Sequence, residues 1–237
     1  MNREWQLLPY AEGSGQQHMD FDNHLLDCHS RDPAYPSVLR FYRWTPPAIS
    51  LGFHQEIYPD RWQAIAATHN LDIVRRPSGG RAVLHWGDLT YAIVTDASGD
   101  GNARSRQIYE HLCGFLIQGF AELGLELGYG KAGRGYIHNP SCFSTATNAD
   151  LVIADGRKLI GSAQVYRRNS VLQHGSIAIA PNHNLLREIF GATVPVVGYQ
   201  ELVTEVHESN NSMNDIIAKI MATLTQAARQ HFQAQLL

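Results

Sequence analysis

Apolar residues recur along this chain at helical spacing in some stretches and at strand spacing in others, and the changes between the two mark its elements. A short apolar run from Trp5 to Tyr10 predicts a strand, broken by Gly13-Ser14-Gly15. From Gln17 to His29, Phe21, Leu25 and Cys28 follow one another at intervals of four and three, the stripe of an amphipathic helix. Pro33 and Pro36 close that region. Val38–Trp44 and Ala48–Phe53 are β-rich runs around Pro46-Pro47 and predict two strands with a tight connection. A short helix from Asp60 to His69, with Asp60 as N-cap, and a strand from Leu71 to Val74 lead into Arg75-Arg76-Pro77-Ser78-Gly79-Gly80-Arg81. The chain then re-enters a strand at Ala82-Val83-Leu84-His85, turns at Gly87-Asp88 and returns from Leu89 to Thr95.

A long amphipathic helix is expected from Ala103 to Leu123, with Ile108, Leu112, Phe115, Leu116, Gly119, Phe120 and Leu123 on one face. Five glycines between Gly124 and Gly135 make the next stretch loop-rich. Pro140 to Ile177 then carries a loop thiol, Cys142, and two alternating apolar runs separated by Asp155-Gly156. Lys158 follows that turn, and the stretch ends in Gln173-His174-Gly175-Ser176. A short helix spans Leu185 to Phe190, and a connector or short strand spans Val194 to Tyr199. The last helix runs from Met213 to Phe232 behind a capping signal of Ser212 and Asp215. Its buried face is read as Ile217, Ile220, Met221, Leu224, Ala228 and Phe232.

Composition narrows the class. The 237 residues, 44% of them hydrophobic, fit one large α/β-type domain with a sizeable core. There is no internal repeat, no low-complexity linker and no second composition regime, so a single domain over 1–237 is expected. Nineteen basic against 22 acidic residues leave a net charge of −3, which gives no electrostatic reason for a nucleic-acid or membrane partner. No apolar run approaches the ~18 residues that span a bilayer, and Met1-Asn2-Arg3-Glu4-Trp5 lacks the layout of a signal peptide. A cytosolic protein is expected. Three cysteines without a CxxC argue against a disulfide framework or structural zinc. His18, His24 and His29, spaced six and five apart, are read as surface or packing histidines, and no metal site is expected.

Two groups of residues suggest chemistry. Cys28 and Cys113 lie on or beside helical stripes and are read as small core residues. Cys142 follows Pro140-Ser141 in a loop without apolar periodicity. A thiol acts as a nucleophile through its thiolate, which a nearby cation favours, and Lys158 is the candidate. Such a pair can accept an acyl group from a thioester and pass it to an amine, the lysine moving the proton. The second group is Arg75–Arg81. Its paired glycines allow close backbone approach to a ligand, and its arginines can fork around a phosphate or carboxylate. A glycine-rich hairpin with solvated arginines explains the same residues. It is not a GxxxxGK[ST] phosphate loop.

Three motifs occur in order: RRPSGGRAVLHWGDLTY (Arg75–Tyr91), KLIGSAQ (Lys158–Gln164) and LQHGSI (Leu172–Ile177). Together with LRFYRWTPPAISLGFHQ (Leu39–Gln55) they resemble the lipoate–protein ligase A and octanoyltransferase family, over roughly residues 17–190. The resemblance implies an α+β fold: a mixed, largely antiparallel sheet flanked by helices, as in the biotin and lipoate ligase catalytic domain, followed by a C-terminal helical segment at about 212–235. Ligases of the family typically show a GRND-type motif ahead of the lysine strand. Here that region reads SCFSTATNADL, whose Cys142-Phe143 is similar to octanoyltransferases of the LipM type. The resemblance implies transfer of an octanoyl group from acyl carrier protein to a lysine of a lipoyl domain or glycine cleavage H protein, without cofactor. Cys142 would hold the acyl group and Lys158 would serve as acid/base. Arg76, Gly79, Gly80, Arg81, His85, Gly161, Ser162 and His174 would bind substrate, with Arg75 and Arg76 as candidates to face the carrier arm. His85 and His174 are equally readable as hydrogen-bonded structural histidines. The alternatives are an amidotransferase drawing on glycine cleavage H protein, a ligase using ATP and Mg²⁺ through an acyl-adenylate, and a silent lipoyl-protein-binding module.

Overall fold

The computed structural model describes residues 4–97, 102–130, 150–191, 195–204 and 212–233. In chain order the elements are β1 (Trp5–Leu7), β2 (Ala11–Gly13), α1 (Gly15–Arg31), β3 (Ser37–Trp44), β4 (Ala48–Leu51), α2 (Arg61–His69), β5 (Asp72–Arg75), β6 (Val83–His85) and β7 (Asp88–Asp96). They continue with α3 (Asn102–Glu122), β8 (Gly128–Tyr129), β9 (Asp150–Val152), β10 (Lys158–Arg167), β11 (Ser170–Ala178), α4 (His183–Phe190), α5 (Tyr199–Thr204) and α6 (Met213–His231).

Among the described residues the larger sheet runs β1-β3-β7-β11-β10-β9-β8, with β2 also on β3. Pairing is antiparallel from β3 through to β8, while β1 and β2 join β3 in parallel. A smaller sheet, β5-β4-β6, pairs β4 with β5 in parallel and with β6 antiparallel. This is the mixed, largely antiparallel α+β architecture expected.

Both faces of the central strands are covered, so their sequences read as near-continuous apolar runs. Successive side chains point to opposite faces, and the packing follows that parity. Leu39 and Phe41 of β3, Leu89, Tyr91 and Ile93 of β7, and Val171 and Ile177 of β11 pack with α3 and α6, where Phe115, Phe120, Ile217 and Leu224 are buried. Val38 and Tyr42, Ala92 and Val94, and Leu172 turn the other way, onto Met19, Leu25 and Leu26 of α1. The smaller sheet packs separately with α2 and α4 through Ile49, Leu51, Trp62, Leu84, Leu186 and Ile189.

The structure departs from the sequence reading in four places. β3 and β4 flank Pro46-Pro47 but join different sheets, because β4 finds its partners in β5 and β6. β6 likewise pairs with β4 rather than folding back on β7, so residues 82–95 form no hairpin. Gly87, at φ +66°, makes the corner between them, and a Cβ there would lie 2.1 Å from the Ala180 carbonyl oxygen. On α1 the buried face is His18, Met19, Asp22, Leu25, Leu26 and His29. Phe21 is 43% exposed and Cys28 is half-buried, so Cys28 is not a core residue. The stripe read from hydropathy is rotated because polar side chains on this helix are satisfied by the sheet. Finally, Asp60 precedes α2 in a helical conformation and makes no side-chain cap bond. Ser212 and Asp215, by contrast, form the full capping box on α6.

Candidate active site

Five strands bring one row of residues side by side. Tyr42 pairs with Thr90, Thr90 with Ser176, Ser176 with Gly161, and Gly161 with Asp150. The middle of the row is small. Over it opens a cavity of about 260 Å³ whose lining includes Met19, Trp44, His85, Gly79 and Gly80. The cavity lies on the α1 face of the sheet, between α1, the larger sheet and the loop after β5.

Lys158 reaches this row through an irregularity. Strand alternation would put Lys158 and Gly161 on opposite faces. A bulge between Lys158 and Ile160 shifts the register against β9, and Leu159 and Ile160, neighbours in sequence, both enter the α3/α6 core. Bulges commonly re-aim a side chain in this way. The lysine tip fills the space beside Gly161, where a Cβ would lie 2.4 Å from Nζ. Nζ contacts Asp150 Oδ1 at 2.6 Å, with the two side chains 1% and 2% exposed. The Lys158 backbone is pinned from the other side, its N–H donating to Pro195 (2.7 Å) and its carbonyl accepting from Val197 (3.0 Å).

Two carboxylate–histidine–serine chains border the cavity. His174 donates from Nδ1 to Asp22 Oδ2 at 3.0 Å, and its Nε2 accepts from the Ser78 hydroxyl at 2.5 Å. Asp22 also accepts from Arg40 (3.1 Å) and from the Tyr42 hydroxyl (2.9 Å). His85 donates from Nδ1 to Asp88 Oδ2 at 2.8 Å, and its Nε2 accepts from Ser50 at 2.9 Å. Asp88 further accepts from Thr90 and Ser176. The tautomers follow from the partners, since a carboxylate must face an N–H. Both serines are buried and both hydroxyls are committed to histidine. These chains therefore tie α1 and the 76–81 loop to β11, and β4 to β7. Burial holds His85 below the usual histidine range, Asp88 opposing it, and Trp44 stacks on the ring at 3.9 Å. His18 is also lowered, first by burial; its Nε2 donates to the Arg43 carbonyl and its Nδ1 accepts from Arg40. Burial raises the Tyr42 hydroxyl, and Asp22 adds to the effect.

The arginines do something the sequence did not indicate. Arg75 donates from Nη1 to the carbonyls of Gly52, Phe53 and Gln55. Arg76, 5% exposed, donates to the carbonyls of Gly79, Arg81 and Ser50 and to the Ser50 hydroxyl. Their forks hold the backbone of the cradle in place of a ligand's anion. Gly80 has φ +90°, and a Cβ on Gly52 would lie 1.8 Å from its carbonyl oxygen, so the two loops touch backbone to backbone.

Of the residues named from the sequence, Arg76, Gly79, Gly80, His85, Gly161, Ser162 and His174 line the cavity, and Lys158 reaches it through Asp150 and Gly161. Arg81 contributes its carbonyl to the loop. Cys142 lies outside the described residues. Residues 130 and 150 flank the stretch that holds it, and the Gly130 N–H donates at 2.9 Å to the carbonyl of Asp150, which itself lines the cavity. Of the other thiols, burial pushes Cys113 up to about 11. Cys28 sits half-buried on α1, 3.5 Å from His24 Nε2. Among the described residues no group of three or more His, Cys, Asp or Glu is placed to hold a metal.

Sequence reasoning missed Asp22, Asp88 and Asp150. A signal existed for Asp22: His18, Asp22 and His29 keep helical register with Leu25 and Leu26, so polar residues share the buried stripe. Asp150 is the penultimate residue of SCFSTATNADL, where the resemblance rests on Cys142-Phe143 and gives the aspartate no role.

Residues 14–232 match the model of the lipoyl protein ligase A/B catalytic domain. Proteins named octanoyltransferase LipM from Halalkalibacterium halodurans and Bacillus subtilis are 33% and 34% identical over 194 residues, spanning 78% of this chain and 70% and 69% of theirs. Among solved structures, a putative lipoate protein ligase from T. acidophilum superposes with a TM-score of 0.75 at 19% identity, covering 100% of this chain and 88% of that one. A lipoate-protein ligase A bound with ATP superposes equally well at 17% identity and the same coverage. The chain belongs to the lipoyl protein ligase A/B catalytic-domain family.

Proposed function

We propose that the chain acts as a single catalytic domain that moves an octanoyl group from acyl carrier protein to a lysine of a lipoyl-accepting protein in lipoate biosynthesis. The likeness to proteins named octanoyltransferase LipM carries this reading. The site supports it: an apolar-walled cavity borders a buried lysine–carboxylate pair. Octanoyl on its thioester needs no activation by ATP, and Arg75 and Arg76 are committed to backbone carbonyls rather than offered to a phosphate.

In this reading the Cys142 thiolate attacks the thioester carbonyl and the carrier thiolate leaves, taking a proton from the Lys158 ammonium. The acceptor amine then attacks octanoyl-Cys142. The amide forms, the Cys142 thiolate leaves, and the proton shed by the amine returns to Lys158. The cycle closes with every proton accounted for. The setting proposed is the cytosol; among the described residues no helix is long and apolar enough to cross a membrane.

The test is transfer without nucleotide. With octanoyl-acyl carrier protein and a lipoyl domain, octanoylated domain is expected to accumulate in the absence of ATP. Product from octanoyl-H protein alone would move the donor assignment to amidotransfer. Product only from free octanoate plus ATP would replace the reading with ligation, and silence throughout would leave a binding module.

A further inference from the structure

Lys158 is delivered to the cavity by a bulge, sits in a space that a side chain on residue 161 would occupy, and meets Asp150 at 2.6 Å with both groups out of water. Each of these features serves one placement. We propose that Asp150 is the positioning residue that aims the Lys158 amine and holds it in its ammonium form for acyl transfer. The proposal rests on the transferase reading.

The physical reason is a balance of two opposed effects. Burial disfavours a charged amine, and an opposite charge within hydrogen-bond distance favours it. Removing the carboxylate takes away a negative charge that opposes the effect of burial, and the amine would shed its proton at a lower pH. A neutral Lys158 in the resting enzyme has no proton for the departing carrier thiolate and no charge with which to stabilise the attacking one. The groups packed around it frame the effect. β9 contributes Asp150, and the pinning segment Pro195-Val196-Val197 is apolar. Other titratable groups lining the cavity have their own ties: Tyr42 and His174 to Asp22, His85 to Asp88, and Arg76 to loop carbonyls. Asp150 itself touches no reacting atom in this scheme and acts through Lys158.

The experiment is the pH profile of the acylation step, read by rapid quench and intact mass as octanoyl bound to the enzyme. In Asp150→Asn the alkaline limb is expected to move down by at least about one pH unit. Asp150→Glu, which keeps the charge on a longer arm, should restore the limb while the rate stays below wild type. A rate loss in Asp150→Asn that is uniform across pH, with the limb unmoved, would show a merely structural role and overturn the proposal. So would a limb that Asp150→Glu fails to restore although the variant is folded by circular dichroism. A wild-type enzyme that never gains the octanoyl mass would instead sink the transferase reading, and this proposal with it.

Discussion

The two faces of the central sheet are built from the same strands by opposite rules. On the α3/α6 side, alternate residues of β3, β7 and β11 meet an aromatic and aliphatic layer, with Tyr91 edge-on to Phe115 at 5.7 Å. On the α1 side, the residues between them mix Arg40, Tyr42, Thr90, His174 and Ser176 with Val38, Ala92, Val94 and Leu172, and they meet a helix that supplies His18, Asp22 and His29 beside Met19, Leu25 and Leu26. One face is mainly apolar, its buried Gln173 tied to the Tyr91 hydroxyl. The other buries the Asp22 carboxylate among Arg40, Tyr42 and His174 and the Asp88 carboxylate among His85, Thr90 and Ser176, an arrangement in which loss of one member leaves a desolvated group behind. The contrast shows how one sheet carries stability and a reaction site together: parity separates them.

That division can be broken from either side. Phe120, fully buried against α6, is the larger test. Phe120→Ala should cost about 3–5 kcal/mol of stability by urea unfolding, with the transfer rate per folded molecule unchanged. Gly161→Ala is its mirror image. Its Cβ would lie 2.4 Å from Nζ of Lys158, displacing a flexible tip rather than the backbone. Displacement on this scale should lower the transfer rate on the order of 100-fold. If Phe120→Ala slowed transfer as much as Gly161→Ala does, the faces would not be separate.

A smaller effect sharpens the picture through pH. His85 and His18 on the α1 side are both held below the ordinary histidine value of 6.5 by burial. A group depressed in the fold binds its proton more readily once unfolded. Stability is therefore fully present above about pH 6.5 and is lost as pH falls through the folded values. His85, 6% exposed, should contribute to that loss, read as a fall in the urea midpoint between pH 7.5 and 5.5. Urea midpoints that stay level from pH 7.5 to 5.5 would contradict the buried-neutral assignment.

Where local pattern settles the outcome, the sequence was readable. The stripe of α3 and the capping box of α6 are decided within a few turns of chain. The resemblance brought the α+β architecture and seven of the residues that line the cavity. Pairings between distant segments were not readable: β4 and β6 have ordinary strand patterns, and nothing local says that they choose each other over β3 and β7. Buried polarity was hidden for a related reason. Asp22 looks solvent-facing until Arg40, Tyr42 and His174 arrive from 18, 20 and 152 residues away. The arginines after β5 show the limit most clearly, since the same fork fits a ligand's anion or a loop's carbonyls, and only coordinates distinguish them.

The central claim is that an acyl group passes through this site on a cysteine. The direct measurement is the intact mass of the protein after incubation with octanoyl-acyl carrier protein, before any acceptor is added. A single octanoyl increment is expected, removed by hydroxylamine and absent in Cys142→Ser. An unmodified wild-type mass, or an increment that persists in Cys142→Ser, would contradict it.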